Sequence, residues 1–118
     1  MPQLRLYEEL QQSRMLSTCP TGRYALANVP ELQGDPYLAS QPAVSGPKIS
    51  SMMAMMQNGT WDWTDKAIKY NGNVIADGHH RYLTARLSGI EPVMIACDSP
   101  VHRTFTWSSL YVDAKRWP

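Results

Sequence analysis

Apolar positions recur along the chain in short bursts whose period changes, and each change predicts a new element. Over residues 4–16, Leu6, Tyr7 and Leu10 fall at i, i+1 and i+4 among Glu, Gln and Arg, which predicts a first helix ended by Thr18 to Pro20. Tyr24, Leu26 and Val29 alternate before Pro30 and predict a short strand. From there to residue 48 the breakers Pro30, Gly34, Pro36, Pro42, Gly46 and Pro47 forbid a long helix and predict a loop lying over the core. Ile49, Met52, Met53 and Met56 then share one helical face, and Asn58-Gly59 is a helix stop. A methionine stripe at this spacing reads as packing rather than as a soft binding surface or a thioether metal site. Trp61 and Trp63 follow in a turn, where they read as covering the core edge rather than stacking a base.

The second half is more regular. Residues 67–70 and 74–76 flank Asn71-Gly72-Asn73, and Asn-Gly between two β-rich runs predicts a hairpin. Tyr82 to Ser88 predicts a short helix stopped by Gly89, with Leu83 and Leu87 facing inward. Pro92 to Cys97 is apolar throughout, which predicts a central strand with Cys97 buried. Residues 101–117 carry Phe105, Trp107, Leu110, Tyr111, Val112 and Trp117 and predict a strand or short helix followed by a tail. Two strands joined through a short helix imply a crossover unit, so the expected fold class is α+β: a small mixed sheet with short helices.

Composition sets the outer bounds. A chain of 118 residues is the size of one domain, spanning 1–118. No apolar run approaches the roughly eighteen residues of a membrane span. A formal net charge of +1 argues against a large basic footprint for duplex DNA but leaves room for a local phosphate site. Lys48, Lys66 and Lys69 are too scattered in sequence to form a patch, and His102-Arg103 reads as a solvated loop pair. Cys19 and Cys97 have neither CxxC nor zinc-ligand spacing, so a lone disulfide and two free thiols both fit. The N-terminus lacks the apolar core of a signal peptide, so an exported form would take its address from a longer parent chain.

Candidate chemistry concentrates at Asp77-Gly78-His79-His80-Arg81, between the hairpin's second strand and the next helix. Gly78 permits a left-handed backbone whose following amides face an anion. Arg81 offers a permanently charged planar fork suited to phosphate. His79 and His80 have an unperturbed pKa of roughly 6.5 and can transfer protons. Asp77 can orient a histidine, accept a proton or hold a divalent cation, or it can simply cap the helix. The candidate catalytic set is Asp77, His79 and His80, with Gly78 and Arg81 binding phosphate and Asp77 the one candidate metal ligand. Glu31, Asp35 and Gln41 on the proline-rich loop are candidate lid residues.

The Asp-Gly-His-His-Arg turn, followed by Ala85 and Gly89, resembles the signature of the ParB/sulfiredoxin superfamily. Lys48-Ile49-Ser50 opening a helix that ends in Asn58-Gly59, the hairpin, and Pro92-Val93 are similar to that family's order of elements, over about residues 41 to 97. The resemblance implies a nucleotide or nucleic-acid phosphate at the turn. His79 stands where sulfiredoxins place a reactive cysteine, and His79-His80 stands where partitioning ParB proteins carry Glu-Arg, so neither sulfinic-acid reduction nor partitioning is expected. The closest form is that of ParB-like nuclease domains of bacterial polymorphic toxins. That implies a nuclease, a nucleic-acid or nucleotide partner and a cognate immunity protein, with secretion in a longer chain and action in a target-cell cytoplasm. Two alternatives stay open: an ATP-dependent small-molecule phosphotransferase or ATPase using Mg²⁺ and ATP, and a non-catalytic nucleotide-binding module.

Overall fold

The computed structural model describes residues 23–26 and 29–118. The helix expected over 4–16, its stop and Cys19 lie outside them. The described chain is an α+β arrangement of two three-stranded mixed sheets and two helices that pack on each other.

The hairpin forms where the Asn-Gly signal placed it. Strands β3 (Ile68–Asn71) and β4 (Val74–Asp77) pair antiparallel, with Asn71 opposite Val74 and Gly72 at φ 63° on the turn. Lys69 pairs with Asp77 but Tyr70 with Ile75, so Ala76 has no partner residue. This bulge bends the end of β4 just before the motif. Helix α1 (Gly46–Asn58) begins three residues ahead of Ile49. Pro47 sits in its first turn, where the missing N–H costs nothing. Gly59 closes it in the left-handed region, its N–H donating to Met55 O. Helix α2 (His79–Ser88) starts at the motif itself and is closed by Gly89 in the same way.

Three expectations need correction. Residues 94–96 form β5 (Met94–Ala96), but it is an edge strand, lying parallel to β3, whose other side the hairpin partner β4 already occupies. Val93 and Ile95 are therefore 43% and 53% exposed, and Cys97 is a half-buried free thiol rather than a core residue. The proline-rich stretch is not only loop. It holds a buried strand, β2 (Ala43–Ser45), and a 3-10 turn at Pro30–Leu32. Finally, one sheet becomes two. Residues 111–113, expected to be a strand or short helix, form β6 (Tyr111–Asp113), the centre of a separate sheet in the order β1 (Arg23–Ala25), β6, β2. A three-residue strand has too few positions to show an alternation.

Residues 38–39 tie the loop to the hairpin and to Phe105. Leu38 bridges to Val74, and Ala39 exchanges two hydrogen bonds of 2.8 Å with Phe105. Between the layers lie Val44, Ile49, Met53, Ile68, Ile75, Leu83, Trp107 and Val112, all nearly inaccessible. Each such side chain contributes roughly 1.5–3 kcal/mol on burial. The loop itself is tied down by Asp35, whose side chain is 2% exposed. Its Oδ1 accepts from Tyr82 Oη (2.7 Å) and Tyr37 N (2.9 Å), while Oδ2 lies 2.9 Å from Arg86 Nε as an ion pair without hydrogen-bond geometry. Burial and the neighbouring carboxylate hold the Tyr82 hydroxyl well above its ordinary pKa, so it remains the donor. Among the described residues no helix is long and apolar enough to cross a membrane.

Asp35→Ala removes an acceptor shared by the loop and α2 and leaves the Tyr82 hydroxyl buried without it. Urea unfolding should show a loss of about 2 kcal/mol or more, and an unchanged midpoint would mean that the loop is not held through this carboxylate.

Candidate functional site

A cavity of about 510 Å³ opens between one side of α1 and the first turn of α2, the size of a small-ligand pocket. It is lined by the whole motif, Asp77 through Arg81, together with Gln41, Lys48, Ser51, Met52, Met55, Trp61, Lys66, Ala76 and Arg116. Sequence reasoning missed much of this. Lys48 and Lys66, taken as scattered, share the cavity with Arg81 and Arg116, so the fold assembles a basic patch that linear spacing conceals. Lys48 had a local signal, being one of the first residues of α1; Arg116 had none.

The turn explains how Arg81 reaches the cavity. Gly78 sits at φ 93°, ψ 33° as the N-cap of α2. The Arg81 side chain folds back over it, and a Cβ on Gly78 would lie 2.8 Å from Arg81 Nη2. Arg81 Nη2 also approaches Asp77 Oδ2 at 3.4 Å, in an exposed pair that contributes little to stability. Asp77 therefore does not cap the helix. No side chain caps either helix, and neither has an acidic residue in its first turn. The positive end of the α2 dipole and four side-chain cations thus border one cavity whose lining holds a single carboxylate. This is an environment for an anion.

The two histidines are held in parallel. Ser40 N–H donates to His79 Nε2 at 2.9 Å, and Ser45 N–H donates to His80 Nε2 at 2.8 Å. An Nε2 that accepts an amide hydrogen carries no proton, so both rings are neutral with the proton on Nδ1. Burial pushes the His79 pKa down to about 4, outweighing the opposing charge of Asp77 and a hydrogen bond with the Ile75 backbone. Burial, then Lys48, His79 and Arg81, push that of His80 down to about 4 as well. His79 is only 5% exposed and its ring lies 6.0 Å from Trp107. The basic nitrogen of each ring is thus engaged with backbone, and Asp77 is the one carboxylate open to the cavity.

Of the expected lid residues, only Gln41 lines the cavity, its amide donating to Ala43 O. Asp35 is buried in the ion pair with Arg86, and the Glu31 carbonyl accepts from Arg86 Nη2, which holds both on the α2 side of the loop. Arg103 lies over the Phe105 ring, apart from the cavity. A metal cage built from protein side chains alone does not fit the donor set. Among the described residues no three His, Cys, Asp or Glu side chains converge, and the cavity's one carboxylate already faces Arg81. No family model, curated protein or solved structure matches the chain.

Histidines held neutral make stability depend on pH. Their folded values near 4 lie below the ordinary 6.5, so between the two the unfolded chain binds more protons. Stability is full above 6.5 and declines toward 4, at ~1 kcal/mol per pH unit per histidine where steepest. Urea midpoints measured between about pH 7 and 5 should fall accordingly; a flat profile would show that the rings are not constrained. Gly78→Ala should cost about 1–2 kcal/mol for its left-handed backbone and displace Arg81, which a loss of anion affinity beyond the stability change would report.

Proposed function

We propose that this cavity binds a phosphate group of a nucleic acid and that the chain is a toxin-like nuclease of the ParB/sulfiredoxin type. The observation that carries the proposal is that Lys48, Lys66, Arg81 and Arg116 line one cavity together with the uncapped start of α2. A phosphodiester meets donors of three kinds: the planar fork of Arg81, the point charges of the lysines, and the amides following Gly78. These groups need no reorganisation as charge develops on the non-bridging oxygens, which is where such donors accelerate displacement at phosphorus. Asp77, exposed at the rim, accepts the proton of the attacking water as its oxygen bonds to phosphorus and the leaving oxygen departs with its electron pair to be protonated by solvent. His79 and His80 keep the frame in place.

The other wall supports the choice of a nucleotide unit over a bare phosphate. Met52, Met55 and Trp61 line it, with Lys66 Nζ 5.7 Å from the Trp61 ring centre. An apolar and aromatic shelf beside a cationic wall suits a base attached to its phosphate. Phosphoryl transfer from ATP is less well served, because it relies on metal ions bridging the phosphates and the cavity's one carboxylate, Asp77, already faces Arg81. The second reading is a module that binds nucleotide phosphate without catalysis, favoured by the use of both basic histidine nitrogens for backbone amides.

Labelled single-stranded DNA and RNA, plasmid DNA and ATP, each incubated with the protein with and without EDTA, separate these readings. The nuclease reading expects strand cleavage that persists in EDTA and falls about 10²–10³-fold in Arg81→Ala and Asp77→Asn. Binding without cleavage would select the module, and ATP consumed over intact nucleic acid would overturn the nuclease.

A further inference from the structure

One lining residue of the cavity, Arg116, comes from far along the chain. Beyond β6, residues 114–118 run across the start of α1, and four hydrogen bonds fix them there. Ser45 Oγ donates to Lys115 O at 2.8 Å and accepts from Trp117 N at 3.2 Å. Arg116 Nη1 donates to Ser51 Oγ at 3.0 Å, and Lys48 Nζ donates to Pro118 O at 3.3 Å. The Trp117 ring stands edge-on to His80 with centres 5.3 Å apart.

Ser45 is the hub. It is fully buried, its hydroxyl holds the strap from both sides, and its amide is held by His80 Nε2. His80 thus supports the strap twice, through Ser45 and through the ring of Trp117. The strap in turn delivers the Arg116 guanidinium to the cavity, anchored by a neutral hydroxyl. The guanidinium's hydrogen-bond partner there is the Ser51 hydroxyl, not a carboxylate. A cation positioned at a cavity by a neutral partner keeps its charge for a ligand.

We infer that residues 114–118 are a strap that carries one working residue of the anion site, that Arg116 binds substrate phosphate, and that His80 is the residue that positions it. This rests on the phosphate reading of the cavity. It assigns His80 a role acting through Ser45 and Trp117 rather than on the reacting atoms.

The test is fluorescence anisotropy of a fluorescein-labelled single-stranded oligonucleotide, titrated with the full chain across a salt series. Arg116→Ala should weaken binding about tenfold and lower the salt slope by about one, while Arg116→Lys keeps the slope. His80→Leu should show the same loss, and the double variant His80→Leu/Arg116→Ala should be no weaker than either, because both remove one contact. His80→Gln, which retains an acceptor for the Ser45 amide, should recover most of the affinity. If His80→Leu does not fold by circular dichroism, Trp117→Ala takes its place in the cycle with the same expectation. Wild-type affinity and slope in Arg116→Ala would overturn the inference and leave the phosphate site standing. Additive losses in the double variant would overturn the positioning role of His80. Failure of the unmodified protein to bind the oligonucleotide would overturn the phosphate reading itself.

Discussion

The structure turns on a pair of hydrogen bonds in which two adjacent imidazoles accept two backbone amides five residues apart. His79 takes Ser40 N–H and His80 takes Ser45 N–H, so the first turn of α2 grips both ends of the segment that becomes β2. That grip explains why a stretch rich in proline and glycine is ordered at all. Its amides find acceptors in side chains where breakers deny it a helix, and a buried amide without an acceptor would be costly. Once residues 40–45 are placed, β2 can pair with β6, α1 can begin at Gly46, and Ser45 can hold the strand's outgoing neighbour at Lys115 and Trp117. The two sheets and the cavity share this one junction.

A second consequence is electrostatic. A histidine that accepts an amide hydrogen cannot be protonated at the same nitrogen, so the junction is intact only while both rings are neutral. The surroundings enforce this, through burial for both rings and through Lys48 and Arg81 for His80. The cations that make the cavity attractive to an anion therefore also protect the junction from protonation. Stability and ligand recognition draw on the same charges, which is an economical use of residues in a domain of this size and a reason the basic groups cluster where they do.

The legible parts of the sequence were those specified locally. Asn71-Gly72-Asn73, Asn58-Gly59 and Ser88-Gly89 end or turn elements through backbone preferences that operate within a few residues, and each does so in the structure. The motif's place between a strand and a helix followed from the same signals. What escaped was set by distance. β2 and β6 are three residues each and owe their existence to partners more than sixty positions away, so neither carries a pattern of its own. β5 is apolar yet lies at an edge, because its rank in the sheet depends on which neighbour the hairpin has already taken. Within the site, Asp77 to Arg81 were found together because they are consecutive. Lys48, Lys66 and Arg116 were not, since only the packing of α1 against α2 and the return of residues 114–118 bring them to one cavity.

The same pair of histidines also links ligand binding to protonation. An anion seated against Lys48 and Arg81 would offset two of the charges that depress His80, so binding would raise the affinity of that ring for a proton. By reciprocity, conditions that protonate His80 would favour the anion electrostatically. Yet protonation removes the acceptor for Ser45 N–H and with it the support for the strap that carries Arg116. The two effects oppose each other. The first is a charge interaction across a solvent-open cavity and is screened by salt, whereas the second breaks a hydrogen bond to a buried serine. The loss of the hydrogen bond outweighs the gain in charge. The site is therefore built to keep His80 neutral, and its positive charge comes from lysine and arginine, whose protonation does not vary in the range where histidine titrates.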